Sequence, residues 1–272
     1  MSVLGAPGVL PAKVLIARSF GRAAPAYDAL ASLQGVSALA LIERLPAGLH
    51  AEWVLDLGAG TGRGALALER ALPRAQVVAL DLAEGMLLEA FKKGLKTCVV
   101  GDAESLPLAD GVFDLVFSNM AIQWCASPVD VFRESFRVLK PGGLLFFTSF
   151  GSRTLMELRE AWRAVDDDDH VNAFLSADDV HAAIETAGFL DSTVSSKLHQ
   201  REYADVMTLM RELKGIGAHN QMGGRSYHLT GKDRFARMKA AYPIVGGPLD
   251  SRVCATFDIV TGFARRPSCE PR

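Results

Sequence analysis

Two carboxylates that end apolar runs carry the first chemical signal in this sequence. Asp56 belongs to Val54-Leu55-Asp56-Leu57, which opens onto Gly58-Ala59-Gly60-Thr61-Gly62-Arg63-Gly64, four glycines in seven residues. Asp81 closes Val77-Val78-Ala79-Leu80-Asp81, with Leu82 next. A buried strand, a glycine-rich turn and a helix in succession make the nucleotide-binding end of a parallel α/β sheet. Gly58, Gly60 and Gly62 let the backbone approach a ligand where a Cβ would clash. Asp56 adds a negative charge at that crevice, which suits a cationic or hydroxyl-bearing ligand better than a pyrophosphate. Asp81 can accept both hydroxyls of a ribose or cap the helix that follows. Met86 then packs near a base or within the core. The turn also fits the dinucleotide pattern, with Gly60-Thr61-Gly62-Arg63-Gly64-Ala65 followed by Asp81 about 20 residues on. That pattern usually lacks an acid at Asp56.

Positioning these groups requires alternating elements. Apolar strands are predicted over Trp53–Leu57, Gln76–Asp81, Thr97–Val100, Phe113–Ser118 and Leu144–Phe150, with helices over Gly64–Ala71, Ala83–Lys93 and Val129–Leu139. Strict alternation means a doubly wound, mostly parallel sheet. Lys140-Pro141-Gly142-Gly143 is expected to end the third of these helices. Further strands over Leu190–Leu198 and Arg252–Ala264 bring the sheet to seven. Helices over Thr154–Val165, Val180–Ala187, Tyr203–Leu213 and Lys232–Tyr242 form a cap after the fifth strand, with Lys214–Asn220 as a loop. The whole of 1–272 reads as one domain: a helical N-terminal lid (1–50), a cofactor-binding core (51–150), a cap and substrate region (151–250) and a final strand (251–265). Ser118, Asn119 and Gln123 leave the fourth strand at the ligand-facing edge, and Trp124 either joins them or anchors the core.

The segments around Asp56, Asp81, Gly101-Asp102-Ala103-Glu104 and Ser118–Trp124 stand in an order and spacing that resembles the class I S-adenosylmethionine methyltransferases over about residues 50–150. A narrower resemblance covers nearly the whole chain. Arg18-Ser19-Phe20-Gly21-Arg22-Ala23-Ala24-Pro25-Ala26-Tyr27, Ser118-Asn119-Met120-Ala121-Ile122-Gln123-Trp124-Cys125 and Leu213-Lys214-Gly215-Ile216-Gly217-Ala218 resemble the malonyl-[acyl-carrier protein] O-methyltransferase family of biotin synthesis. The resemblance implies S-adenosylmethionine as cofactor, with S-adenosylhomocysteine as product, held by Phe20, Arg22, Asp56, Gly58, Gly60, Gly62, Asp81, Leu82, Met86, Asp102, Ala103, Glu104, Ser118 and Asn119. In it Asp102 accepts from the adenine amine; a simple turn is the other reading of that residue. The acceptor is the free carboxylate of a malonyl thioester on acyl carrier protein or coenzyme A. Tyr27 and Gln123 are the expected catalytic residues, and Arg153, Lys214, His219 and Arg225 the expected substrate-binding ones. Two rival readings share the core: methylation of another small acid or a quinone, and a methyltransferase-like assembly factor of respiratory complex I.

The 272 residues are 49% hydrophobic and 22% charged, enough for a sizeable core. A net charge of −2 argues against a nucleic-acid binder. No apolar run suggests a membrane span, and four cysteines without a C-x-x-C pair suit a reducing, cytoplasmic setting. No metal-ligand pattern is expected. The charge is uneven, however. Lys197 to Lys239 holds nine basic and four acidic residues. Arg201, Arg211, Lys232, Arg234, Arg237 and Lys239 therefore read as either a solvated face or a surface that steers an acidic carrier protein.

Overall fold

The computed structural model describes residues 12–217, 231–246 and 251–268. Its centre is β1 (Trp53–Leu57), flanked in parallel by β2 (Gln76–Asp81) and β4 (Phe113–Asn119). These strands are apolar on both faces because helices cover both, and every residue of β1 after Trp53 is buried. β3 (Cys98–Val100) and β5 (Leu139–Phe150) extend the parallel set on either side. β8 (Arg252–Arg265) then runs antiparallel between β5 and the edge strand β6 (Asp191–Tyr203), giving the order β3-β2-β1-β4-β5-β8-β6. A two-residue strand, β7 (Ile244–Val245), pairs with the start of β8.

Helices α2 (Ser32–Ile42), α3 (Arg63–Ala71) and α4 (Glu84–Lys92) bury one face of the sheet. Helices α5 (Pro128–Val138) and α7 (Ala177–Thr186) bury the other. Their starts are written locally. The Ser127 side chain accepts from Asp130 N–H ahead of Pro128, and Ser176 with Asp179 forms a capping box.

The stretch after β5 divides in two. Helix α7 packs on α5, and β6 belongs to the sheet itself. Only α6 (Met156–Arg163), α8 (Val206–Gly215) and α9 (Lys232–Ala241) form the cap, over a core of their own with Trp162, Tyr203, Leu209, Met238 and Phe257. That core exists because β6 and β8 outrun β5, and their projecting ends need cover. Lys140–Gly143 is not a free turn: it is the irregular entry of β5, with the pairing register slipping between Phe113 and Leu115. Helix α8 continues through Lys214 and Gly215, where a loop was expected. No described helix is long and apolar enough to cross a membrane.

Candidate active site

The carboxyl ends of β1, β2 and β4 open into a cleft roofed by α1 (Ala12–Leu30). The larger chamber, about 740 Å³, is an apolar slot between Phe20, Leu82, Met86, Ala103 and Trp124, with Asp81 and Asp102 among its polar lining. The smaller chamber is polar and lined by Asp28, Gln34, Asp56, Thr61 and Arg63 among others. The two share Tyr27, Gly58, Gly60 and Asn119, so they are halves of one cleft.

Asp81 serves the loop and the helix together. One oxygen accepts Gly60 N–H at 2.8 Å and the other accepts Ala83 N–H at 2.8 Å. Each oxygen keeps a lone pair for a further donor, so capping and ligand binding are compatible. Burial raises its pKa against those N–H bonds. Asp56 is 2% exposed, and its Oδ2 is buried with no hydrogen-bond partner. Burial, helped by the Asp81 charge and opposed by Ala65 N–H, pushes its carboxyl up to about 7. A buried acceptor without a donor is costly, and this one borders the polar chamber.

Lid helix α1 is pinned at both ends. Lys13 Nζ pairs with Asp102 at 2.6 Å and also with Glu104. At the other end Asp28 pairs with Lys93 and accepts from Thr61 Oγ1 at 2.5 Å, while Arg63 donates to its carbonyl at 2.9 Å. Between the pins, Phe20 meets Trp124 edge-on at 5.2 Å. Trp124 therefore lines the cleft and is not only a core anchor. Tyr27 is held protonated, its pKa raised first by burial and then by Asp81 and Asp28. Met120, just past β4, takes φ of 54°, a left-handed conformation uncommon for a residue with a side chain, and its N–H is held by Thr148.

Several expected residues lie elsewhere. Arg22 is exposed on α1 and donates to the Arg18 carbonyl. Ser118 is fully buried and ties β4 to the Leu57 carbonyl. Gly62 lines neither chamber; it lets the end of α4 approach, since a Cβ there would sit 2.8 Å from Ala90 of α4 and 2.4 Å from Leu95 just past it. Gln123 faces an adjoining cavity, its amide engaged by the Met120 carbonyl and Ser149. Arg153 is drawn to buried Asp258 at 3.5 Å, and Lys214 is exposed on α8. His219 and Arg225 lie outside the described residues. Lys13, Asp28, Thr61 and Lys93 were missed, because ion pairs between elements 30 to 90 positions apart leave no local pattern. The one available signal for Lys13 was its charge within an apolar N-terminal stretch.

A family model described as a methyltransferase domain matches residues 55–147. The chain is 44% identical over 263 residues to the malonyl-[acyl-carrier protein] O-methyltransferase of Methylococcus capsulatus, covering 94% of each. It is 43% identical to the biotin biosynthesis bifunctional protein BioHC of Saccharophagus degradans, spanning 85% of this chain and 42% of that one. In fold it is similar to phosphoethanolamine N-methyltransferase 2 of Haemonchus contortus, solved with S-adenosyl-L-methionine. The TM-score is 0.61 at 19% identity, over 97% of this chain and 61% of the other.

Proposed function

This chain belongs to the malonyl-[acyl-carrier protein] O-methyltransferase family of S-adenosylmethionine-dependent methyltransferases, and from that premise we propose how its cleft performs the reaction. The enzyme methylates the free carboxylate of a malonyl group carried on acyl carrier protein, in biotin synthesis. The observation that carries the cleft assignment is the pair of chambers: an apolar slot beside Asp81, and a polar chamber bordered by the partnerless Oδ2 of Asp56.

S-adenosylmethionine, when bound, supplies a methyl group on a sulfonium. The residues present fit it. Leu82, Met86 and Ala103 would enclose the adenine, with Asp102 at its edge. Asp81 would accept the ribose hydroxyls with its remaining lone pairs. Asp56 would meet the ammonium of the methionine part, exchanging a missing donor for a charged one. Gly60, beside which a Cβ would meet nothing, leaves room for the ligand against the backbone.

A malonyl carboxylate is ionised near neutral pH, about three units above its reference pKa of ~4, so no general base is required. What the chain must provide is alignment and the exclusion of water, effects worth about 7–11 kcal/mol in favourable cases. The roof formed by α1 supplies the exclusion. Tyr27, protonated where the chambers meet, would donate one hydrogen bond to the acceptor carboxylate, orienting it without quenching the nucleophile as a buried salt bridge would. Free thiols at Cys98, Cys125 and Cys254 suit a cytoplasmic reaction. Labelled S-adenosylmethionine offered with malonyl-carrier protein, malonyl-coenzyme A and free malonate tests the reading. Label should pass chiefly to the carrier-bound acid. Transfer to free malonate alone would refute it.

A further inference from the structure

The basic residues between Lys197 and Lys239 do not form one surface. Arg201 is spent on Glu212 at 2.8 Å, and Arg234 on Asp166 and Asp168 at 2.5 and 3.1 Å. Lys197 lies apart from these on β6, and the sheet gives it different company. Helix α2 packs on β4 and β5, beyond which β8 and β6 continue the sheet. Alternate residues of a strand share a face, so Lys197 and His199 stand together. With Thr148 of β5 they line a groove of about 650 Å³ whose other wall is α2, through Val36 and Ser37, and Arg44 just past its end. Among the described residues Lys197, His199 and Arg44 make no ion pair.

The wall is unusual. From Ser32 to Ile42 helix α2 has no charged residue, a composition expected of a helix buried on all sides. Yet Val36 is 67% exposed and Leu39 is 54% exposed. An apolar patch rimmed by basic groups marks a surface that a partner covers. The groove also backs onto the cleft. Ser37 donates to Thr148 Oγ1 at 3.3 Å, and Thr148 donates to Asn119 Oδ1 at 2.9 Å. Asn119 lines both chambers, and Gln34 in the cleft and Val36 in the groove are two residues apart on α2, on nearly opposite sides of the helix.

We propose that this groove docks the acidic carrier protein, with Val36 as the apolar contact, Lys197 and Arg44 as the charged rim and His199 as a polar neighbour of Lys197. A carrier seated there delivers its acyl arm past the first turn of α2 into the cleft. This rests on the reading of the substrate as a carrier-bound malonyl group. The test compares kcat/KM for malonyl-carrier protein and for malonyl-N-acetylcysteamine, a thioester stub without the carrier. Lys197→Glu with His199→Glu, and separately Val36→Glu, should lower the carrier value at least tenfold at low salt, where exposed charges act over about 10 Å or more. The stub should stay within twofold and S-adenosylmethionine affinity should not move. An unchanged carrier value, or equal losses on both substrates, overturns the proposal. So does a loss seen only with Arg237→Glu and Lys239→Glu, which would put docking on α9. Titrating malonyl-carrier protein into enzyme holding S-adenosylhomocysteine reads docking without turnover. There, binding lost in the β6 variant supports the groove even if the assigned reaction fails.

Discussion

Replacing Asp56 by asparagine separates the two consequences of burying a carboxylate in this cleft. In the folded protein the group sits at about 7 against an ordinary 3.8. Between those values the folded chain holds a proton that the unfolded chain has lost, so stability falls as pH climbs through the window. At about 1.36 kcal/mol per pH unit, the full cost above pH 7 is bounded at about 4 kcal/mol. An amide of the same shape has no such cost. The advantage of Asp56→Asn in the ligand-free protein should therefore grow by about 2 kcal/mol between pH 5.5 and 8, or about 4–8 °C in Tm for a chain of this size. The same variant should bind S-adenosylmethionine about tenfold to a hundredfold more weakly at pH 8, because a hydrogen bond between charged groups is worth about 1.5–3 kcal/mol. Wild-type binding near pH 7 should release about half a proton, seen by calorimetry in buffers of different ionisation heat, and the variant should release none. A variant no more stable than wild type at pH 8 would refute the buried-charge argument. Unchanged affinity would remove Asp56 from the cofactor's ammonium.

Asp81→Ala should weaken S-adenosylmethionine binding by about 1–3 kcal/mol, measured by calorimetry on a folded variant; unchanged affinity would leave Asp81 as a cap for α4 and the Gly60 loop only. Tyr27→Phe keeps the ring against Phe20 and removes the donor, so kcat/KM for the malonyl substrate should fall about tenfold to a hundredfold with cofactor affinity nearly constant. A large loss of cofactor affinity would make Tyr27 a cofactor residue. Gly62→Ala should lower stability by about 2–4 kcal/mol in denaturant unfolding, from a φ of 78° and the contacts with Leu95 and Ala90. Gly60→Ala meets no neighbour and should cost less stability while impairing cofactor binding.

The parallel sheet was legible in the sequence because its signals are local. Apolar runs ending in Asp56 and Asp81 fix strands and their ligand-facing ends, and the glycines between them fix the turn. Those features depend on neighbours in the chain, and the cleft residues Asp56, Gly58, Gly60 and Asp81 follow from them, whereas Leu82 and Asp102 rest on the family resemblance and Met86 reads as either a base contact or a core residue. Within that pattern the roles could still be misassigned. Gly62 and Ser118 have the right spacing, but one faces Leu95 and the other the Leu57 carbonyl, and only the packing of α4 and β1 decides that. Arg153 and Arg234 look like free cations in the sequence. Folding sets Asp258 and Asp166 beside them, because an ion pair is chosen by distance in space. Lys13 on Asp102 is the same case in reverse: a residue without a motif becomes part of the cleft once α1 lies across the sheet. Sequence thus determined which residues stand at strand ends, since period and turn chemistry are short-range. The tertiary structure alone decided which side chains reach the cleft, which are neutralised and which remain exposed, since those depend on elements up to about two hundred residues apart along the chain.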